Sequence, residues 1–437
     1  MCSTKSPEIL AVSNSLISRN EGRVKKELKA VRQSGQMPRY RHARSRAEES
    51  DALAGEIAAL HEGGVRLSDI AVIYRGNYMS RAIEEALVRK KIPYEIYSGT
   101  AFYQRREIKD ALSYLRLAVF GDDVSFLRVV NVPARGIGKT RQNMLREVAE
   151  SKNVSMLCAL RELAEHPLFK GTKARELLEL LDEAKDFSRE NDLADTLDFL
   201  LQRSGYEGYL RLCGNQDRLD NLNELKASVR EAVDSAGEEV SAEDYLNGIS
   251  LITSADAEDK KECVKLMTVH TAKGLEFPVV FVCCLNEGLF PSRKIRTREE
   301  MEEERRVAYV ALTRAENLLY LSDAEGFDAN CGGNLYTSRF LFDIDKGLLE
   351  ASGAFSEGHL ARSKSHIKKS ELSMGIVPAS EQRFLFKAGD KVRHPHFGAG
   401  VVLDFGGGAY TVEFESGKTR SVSAAADLLI PYYERKS

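Results

Sequence analysis

Residues 264–285, VKLMTVHTAKGLEFPVVFVCCL, contain two apolar runs separated by one polar loop. The runs Val264 to Val269 and Val279 to Leu285 are rich in β-branched and other apolar residues, which predicts two buried strands. The loop between them, HTAKGLE, carries Gly274. Loops of this kind bind ligands at the strand ends of open α/β sheets, so this segment predicts a ligand site.

The next segment, TREEMEEERRVAYVALTRAENLLYL, runs from Thr297 to Leu321 and is acidic in its first half and apolar in its second. This pattern predicts a helix followed by a strand. Val307, Val310 and Ala311 share one helix face by the i, i+3, i+4 rule, with Arg306 and Arg314 beside it. Taken alone, an EEERR run is most often a solvated helix face with Glu/Arg pairs.

Together, TVHTAKGLEFP and EEERRVAYVALTRA resemble the fifth and sixth helicase motifs of the UvrD/Rep/PcrA-type superfamily 1 DNA helicases. The resemblance implies a second RecA-like domain that closes over ATP held by a first one. It implies that Arg314 of the TRA triplet reaches the γ-phosphate as a catalytic arginine, a role worth roughly 10³ to 10⁵ in rate where measured. It also places Gly274 and Glu276 at the nucleotide, with Glu276 on the sugar, and His270 at the DNA strand.

Composition limits the classes of protein to consider. With 437 residues, 43% hydrophobic and 30% charged, the chain predicts two to four globular domains. It has no apolar run of about 18 residues and no signal peptide pattern, so we expect a cytoplasmic protein, at the bacterial nucleoid, with no membrane partner. The net charge of −3 confines any DNA contact to a local surface. The seven cysteines lack paired CxxC spacing, so neither a zinc site nor a disulfide framework is indicated, and we expect no bound metal.

Residues 1–118 are predicted to form the first part of the RecA-like domain. They begin with an amphipathic helical region, followed by a predicted polar loop through RYRHARSR. The strand Ile70 to Tyr74 then ends in YR, which resembles the fourth motif of the same family. The resemblance implies that Tyr74 packs on the adenine and that Arg75 contacts phosphate, and an aromatic ring and a guanidinium suit those roles chemically.

Residues 119–257 read as almost entirely helical, and residues 258–345 return to the sheet pattern, which predicts a helical domain inserted into the RecA-like domain. RGIGKT at 135–140 ends like a phosphate loop, but Pro133 stands where that motif needs glycine. It resembles the glycine-isoleucine-glycine loop of the family, which implies contact with duplex phosphates. The predicted DNA-binding residues are therefore Arg135, Gly136, Ile137, Gly138, Lys139 and Thr140. A plain turn at a helix start is the alternative.

LLDEAKDF at 180–187 looks like an acidic ATPase box, but its periodicity is helical, which predicts a solvated helix face. The sequence thus shows neither a phosphate loop nor an acidic magnesium box. We therefore expect ATP and Mg²⁺ to be bound mainly by an amino-terminal helicase domain that is missing from this chain, and we expect the chain alone to be inactive.

Residues 346–383 are rich in Ser, Gly and Lys and are predicted to be a linker. Residues 384–437 alternate in short strands with Gly-rich turns, which predicts a small β-barrel. The barrel resembles the Tudor-like module that ends many of these helicases, which implies protein contacts, including RNA polymerase, through residues 384–433. Nucleic acid is the alternative partner. His394, His396 and Phe397 either present a binding surface or close the barrel.

The predicted fold class is therefore α/β: a RecA-like parallel-sheet domain interrupted by an all-helical domain and followed by the barrel. The resemblance implies the C-terminal part of an ATP-dependent 3′–5′ DNA helicase and translocase, in DNA repair or replication, acting on single-stranded and duplex-junction DNA. The rival interpretation is a non-catalytic DNA- or protein-binding adaptor. A helicase-nuclease subunit would need a carboxylate-rich domain where the barrel stands.

Overall fold

The computed structural model describes residues 2–3, 5–21, 29–30, 34–236, 240–255, 262–328, 330–353, 356–374, 386–394, 397–407, 409–423 and 429–431. The chain divides into two compact units. The first contains residues 1–49, 272–326 and 334–437, and the second contains residues 50–271 and 327–333. Among the described residues, no helix has the length and apolar character needed to cross a membrane.

The helices are numbered here in chain order. They are α1 Pro7–Ile17, α2 Arg46–Glu62, α3 Ser80–Arg89, α4 Arg106–Phe120, α5 Asp123–Val129, α6 Lys139–Lys152, α7 Met156–Leu163, α8 Ala174–Phe187, α9 Leu193–Arg203, α10 Tyr206–Leu212, α11 Gln216–Ala236, α12 Ala242–Ala255, α13 Arg298–Leu312, α14 Arg339–Asp343 and α15 Glu357–Ser373.

The strands are numbered in the same way. They are β1 Cys2–Ser3, β2 Lys29–Ala30, β3 Arg39–Ala43, β4 Ile70–Tyr74, β5 Tyr94–Ile96, β6 Val264–Thr268, β7 Phe277–Val282, β8 Ala315–Ala324, β9 Phe327–Asp328, β10 Gly333–Asn334, β11 Glu350–Gly353, β12 Lys391–His394, β13 Gly398–Gly406, β14 Ala409–Phe414, β15 Thr419–Ser423 and β16 Ile430–Pro431.

A parallel sheet of seven strands confirms the predicted α/β class. In the first unit the strand order is β11-β3-β8-β7, and in the second it is β4-β6-β5. Val280 on β7 pairs with Leu319 on β8, and Val72 on β4 pairs with Leu266 on β6. All five residues of β4 are buried. Parallel strands covered on both faces are continuous apolar runs, which is why the sequence pattern located β4, β6 and β7.

Strand β3 corrects the prediction of a polar loop through RYRHARSR. It pairs in parallel with β8, with Tyr40 opposite Leu321, and lies inside the sheet. Arg39 and Arg41 are exposed, while Tyr40 and His42 are buried, as expected for a strand with a period of two. The alternation was visible in the sequence, but its inward residues are polar or aromatic rather than aliphatic. Much of the preceding predicted helix, at 22–28 and 31–33, falls outside the described residues.

The helical region of the second unit has its own apolar core, which runs from Phe102 to Ile249. This core begins before the predicted boundary at 119, because α4 packs within it and buries Tyr114 completely. The acidic run at 180–187 lies in α8 as predicted, with Asp182 exposed and paired with Arg161 at 2.6 Å. It is a solvated helix face.

The predicted linker at 346–383 contains regular structure instead. Strand β11 pairs with β3 in parallel, and α15 follows at Glu357–Ser373. The buried stripe of α15 includes His359, Ser363 and Ile367, which are spaced four residues apart. Only one of the three is apolar, so the hydrophobic period that signals an amphipathic helix is weak here. Residues 375–385 lie outside the described part of the chain.

The described residues from 386 onward form a five-stranded antiparallel sheet in the order β15-β14-β13-β12-β16. Its apolar core includes Val392, Val412 and Phe414. His394 is buried and stacks on the Phe397 ring, with 4.4 Å between ring centroids, so these two side chains close the core rather than form an exposed surface. His396 lies outside the described residues. The small β-module is confirmed at the level of an antiparallel sheet, and its likeness to a Tudor-like module stays a prediction.

Candidate functional site

Helix α13 positions Arg314 at the point where the helix ends and β8 begins. The helix starts with a capping box, in which the Thr297 side chain accepts from the Glu300 amide and the Glu300 carboxylate accepts from the Thr297 amide. Such a box satisfies amides that an unassisted helix start leaves without partners. The helix ends at Leu312, and the Arg314 amide still donates to the Ala311 carbonyl at 3.1 Å. Arg314 is therefore carried on a rigid corner.

The Arg314 guanidinium is half-buried and is held by three hydrogen bonds. Nε donates to the Val310 carbonyl at 2.9 Å, and Nη1 donates to the Leu275 carbonyl at 2.8 Å. Nη2 donates to the Thr313 hydroxyl at 3.3 Å. The Phe277 amide also donates to the Arg314 carbonyl at 2.9 Å. The two predicted motifs, one before β7 and one before β8, thus meet at this arginine.

The charges around Arg314 include one carboxylate and one lysine. Burial lowers the pKa of the Arg314 guanidinium, and the nearby negative charge of Glu276 opposes that shift. Glu276 is itself paired with Lys5, whose Nζ lies 2.6 Å from Oε1. The Lys5 side chain is buried, whereas 37% of the Glu276 side chain is exposed. Glu276 therefore has an accessible carboxylate on a fixed cationic support.

Gly274 gives the loop before β7 its turn. Its φ of 89° lies in the left-handed region, where a side chain is strained. The Leu275 amide donates to the Ala272 carbonyl at 3.1 Å and closes the turn. Gly274 is exposed, and no described atom lies within 4 Å of the position that a Cβ would take. The turn therefore presents exposed backbone beside Glu276.

His270 lies in the second unit, just after β6, and is exposed. The strand end before it is closed by a threonine pair, because the Thr271 amide donates to the Thr268 hydroxyl at 3.3 Å and the two hydroxyls are 3.0 Å apart. The Val269 amide donates to the Tyr74 carbonyl at 2.9 Å. His270 thus follows a rigid strand end and is open to a ligand.

Tyr74 does not fit the predicted role of packing on an adenine. Its side chain is only 1% exposed, because β4 is buried along its whole length. A ring inside the core has no face to offer a ligand, so the prediction for Tyr74 is wrong. Arg75, the next residue, is half-buried, and its predicted phosphate contact stays a prediction.

The glycine loop before α6 combines buried and exposed residues. The Arg135 side chain is buried, and Nη1 donates to the Val129 carbonyl at 2.9 Å while Nη2 donates to the Tyr114 hydroxyl at 2.8 Å. Ile137 is fully buried. These two side chains therefore support the loop from inside, and neither is available for the predicted DNA contact.

The remaining predicted DNA-binding residues of the loop are exposed. These are Gly136, Gly138, Lys139 and Thr140. Gly136 has a φ of 74°, and Gly138 is the N-cap of α6 with a φ of −81°. A helix start presents unpaired amides and a partial positive charge, which suits a phosphate. The loop therefore offers backbone amides and one lysine to an anion.

The UvrD-like helicase C-terminal domain model matches residues 3–326, which is most of the chain. The chain belongs to the UvrD-like helicase C-terminal domain family. The loop at 270–276 and the turn at Arg314 both lie inside the matched region. The family assignment confirms the resemblance inferred from the sequence motifs.

Relatives of this UvrD-like chain include named DNA helicases. It is 35% identical over 411 residues to an ATP-dependent DNA helicase PcrA from Staphylococcus epidermidis, covering 90% of this chain and 56% of that protein. It is 36% identical over 411 residues to a DNA helicase II from Haemophilus influenzae, covering 91% of this chain and 56% of that protein. The chain thus spans a little over half the length of these relatives.

A solved structure of the C-terminal domain of a possible DNA helicase from Lactobacillus plantarum covers 80% of this chain and 98% of its own length. Its TM-score is 0.31 and its sequence identity is 9%.

Sequence reasoning missed two residues that organise the UvrD-like site. Lys5 pairs with Glu276 from 271 positions away, and no local pattern marks such a contact. Asn131 holds the glycine loop, because its Oδ1 accepts from the Arg135 amide at 2.8 Å and the Ile137 amide at 3.2 Å. An asparagine shortly before a glycine-rich turn is a recognisable signal, since its side chain often accepts from the backbone of the following turn.

The two glycines of the loop form a matched pair for a stability measurement. We expect Gly136→Ser to destabilise the protein by about 1–2 kcal/mol, because it forces a side chain into the left-handed region. Its new Cβ would also lie 3.4 Å from Thr172 Cγ2. Gly138→Ser should change stability by less than about 0.5 kcal/mol, since serine is a preferred N-cap. Urea unfolding followed by circular dichroism measures both changes, and equal losses would show that the two positions do not differ in their need for glycine.

Proposed function

We propose that this chain is the C-terminal part of an ATP-dependent DNA helicase and translocase that moves 3′ to 5′ and unwinds duplex DNA. Family membership supports the helicase class, and the curated relatives are ATP-dependent DNA helicases by name. Direction of movement and a role in DNA repair or replication are part of the proposal, as is a place at the bacterial nucleoid in the cytoplasm. Each extends the resemblance of the motifs at 264–285 and 297–321.

The observation that carries the proposal is the position of Arg314. A guanidinium has five N–H donors. Among the described residues, Nε and one N–H on each Nη are used by Val310, Leu275 and Thr313, which leaves one N–H on each Nη for an oxygen ligand. An arginine held rigidly by carbonyls, with two N–H groups remaining, suits the charge that develops on phosphate oxygens.

The residues of this chain fit ATP at its edges rather than at its centre. Arg314 and Arg75 would reach phosphate oxygens, and Glu276 and the exposed backbone at Gly274 would face the sugar. The sequence has no phosphate loop and no acidic box to hold Mg²⁺, and we propose that the first RecA-like domain of the whole enzyme supplies both. Mg²⁺ would neutralise charge on the phosphate oxygens. The role of this chain is to position Arg314.

The DNA-facing part of the proposal rests on exposed residues. His270 would contact the translocating strand, and the helix start at Gly138 with Lys139 would hold duplex phosphate at a single-strand to duplex junction. Contacts of this type go to the backbone, so they fix position without reading base sequence. Arg135 and Ile137 would keep the loop in shape for this contact.

The catalytic prediction needs the chain combined with the amino-terminal domain of a PcrA-type relative. In that mixture we expect Arg314→Ala to lower kcat for DNA-stimulated ATP hydrolysis by at least ~10², with a smaller change in nucleotide affinity, because the contact strengthens in the transition state. Arg306→Ala is the matched control, since Arg306 is exposed on the same helix and pairs with Glu303 at 2.7 Å. The measurement is steady-state ATPase kinetics.

Two outcomes of that experiment would count against the proposal. Equal loss of activity in the Arg314 and Arg306 variants would remove the specific role of Arg314. A mixture that binds DNA but hydrolyses no ATP would instead support the adaptor interpretation. The chain alone should hydrolyse none, because the phosphate loop that holds the nucleotide is missing from its sequence.

The DNA prediction concerns Lys139. We expect Lys139→Ala to weaken binding to a duplex-bearing junction and to reduce the slope of log affinity against log salt by about 1, because one phosphate contact is lost. Binding to single-stranded DNA should stay unchanged. Lys152→Ala is the control, since Lys152 lies at the other end of α6 and pairs with Glu162. Equal effects of the two variants in a fluorescence anisotropy titration would show that the loop does not touch duplex.

The last partner proposal concerns residues 384–433. The family resemblance implies a protein contact there, with RNA polymerase as the partner. The parallel sheet is complete without these residues, so we expect a chain ending at residue 374 to keep its ATPase activity in the mixture above and to lose capture of RNA polymerase. Binding of DNA but no polymerase by the full chain, lost in the shorter one, would assign this sheet to nucleic acid.

A further inference from the structure

Two histidines and one glutamate meet in the first unit, away from the arginine site. His42 lies on β3, Glu325 directly follows β8, and His359 lies on α15. The histidine side chains are buried, and 26% of the Glu325 side chain is exposed. Three segments that are distant in sequence thus contribute one side chain each to the same place.

The potential ligand atoms of these residues all lie within 4.8 Å of one another. His42 Nε2 is 3.0 Å from Glu325 Oε1, and His359 Nδ1 is 3.6 Å from Glu325 Oε2. Zinc bonds of 2.0–2.1 Å in a tetrahedron separate neighbouring ligand atoms by about 3.3 Å. The observed separations lie on either side of that value, so small side-chain movements would bring the three groups into a common coordination sphere.

Partners of the outer ring nitrogens turn both imidazoles toward Glu325. His42 Nδ1 lies 2.8 Å from Asp323 Oδ1. His359 Nε2 lies 3.2 Å from the Thr337 hydroxyl and 3.3 Å from the Ser363 hydroxyl. When the outer nitrogen donates, the inner nitrogen carries the lone pair. Carboxylate or hydroxyl partners of this kind orient histidine ligands in metal sites.

The acceptor behind His42 is itself fixed. Asp323 is fully buried; its Oδ1 accepts from the Tyr40 hydroxyl at 2.8 Å, and its Oδ2 accepts from the Thr337 hydroxyl at 2.7 Å. A buried carboxylate with this many donors holds its position. The orientation of His42 therefore depends on β8 and the loop at Thr337.

We infer that His42, Glu325 and His359 form a binding site for a divalent transition-metal ion of the Zn²⁺ class. Two imidazoles and one carboxylate are a ligand set that suits Zn²⁺, with a fourth position left for water. Two further groups lie near the site. The Ser356 hydroxyl is 3.5 Å from Glu325 Oε1, and the positive charge of Arg362 acts on both Glu325 and His359.

The bound ion would act as a clip. Its ligands come from β3, from the end of β8 and from α15, so binding would tie α15 to the carboxyl ends of two sheet strands. Metal binding to a preformed site stabilises the folded state by mass action. The competing arrangement has no metal, with a proton on His42 shared between Asp323 and Glu325.

The test uses the full chain after chelator treatment, titrated with Zn²⁺ in one arm and with Mg²⁺ in the other. We expect about one Zn²⁺ per chain by calorimetry and a rise in Tm on the order of 5 °C at saturating Zn²⁺, with no rise for Mg²⁺. His359→Gln and Glu325→Gln should each lower Zn²⁺ affinity by at least about 100-fold, and Asp323→Asn by about 10- to 100-fold. His366→Gln is the matched control, because His366 lies on α15, stacks on Tyr336 and should leave affinity unchanged.

Substitution with Co²⁺ in the unaltered chain keeps the test decisive if a variant fails to fold. Visible ligand-field absorption without a thiolate charge-transfer band would assign nitrogen and oxygen ligands, and a strong thiolate band would assign the ion to exposed cysteines such as Cys158 and Cys213. Absence of Zn²⁺ binding, a thiolate band, or equal affinity in His359→Gln and His366→Gln would overturn the inference and leave the proton-bridged cluster.

Discussion

Parallel pairing of β7 with β8 is the constraint on which the arginine site depends. Pairing these strands brings the residues that precede them together, so the loop at 272–276 and the end of α13 become neighbours. The Phe277 amide donates to the Arg314 carbonyl, and the Arg314 side chain returns a hydrogen bond to the Leu275 carbonyl. Two motifs that are about 40 residues apart thus share one corner of the sheet. A shift in strand register would separate them.

Burial then decides which motif residues can act on a ligand. Tyr74, Arg135 and Ile137 sit inside the protein, while Glu276 and Lys139 remain accessible. A buried residue in a functional motif has a different task, which is to hold the backbone that carries the accessible ones. Arg135 shows this most clearly, because its guanidinium donates to backbone carbonyls on two sides of the glycine loop. A motif is therefore a mixture of contact residues and supports.

Buried polar groups connect the outer segments to the sheet of the first unit. Glu49 accepts from the Cys284 amide at 2.8 Å and the Ser322 hydroxyl at 2.6 Å, and burial raises the pKa of its carboxyl group. Arg339 and Glu287 form a buried ion pair at 2.8 Å. Each such group needs a partner, because an unpaired buried charge costs several kcal/mol. The His42 cluster follows the same rule, whether a proton or a metal ion satisfies it.

The sequence by itself determined the α/β class, the positions of β4, β6 and β7, the helical insertion and the family, because those features are local strings of apolar period and motif. It also located Arg314 and the glycine loop. Tertiary structure alone decided that RYRHA is a strand, that 357–373 is a helix packed through His359, and that Tyr74 is inaccessible. It also brought His42 to Glu325 across 283 positions. Burial and long-range contact depend on which segments fold against each other, and no window of sequence contains both partners.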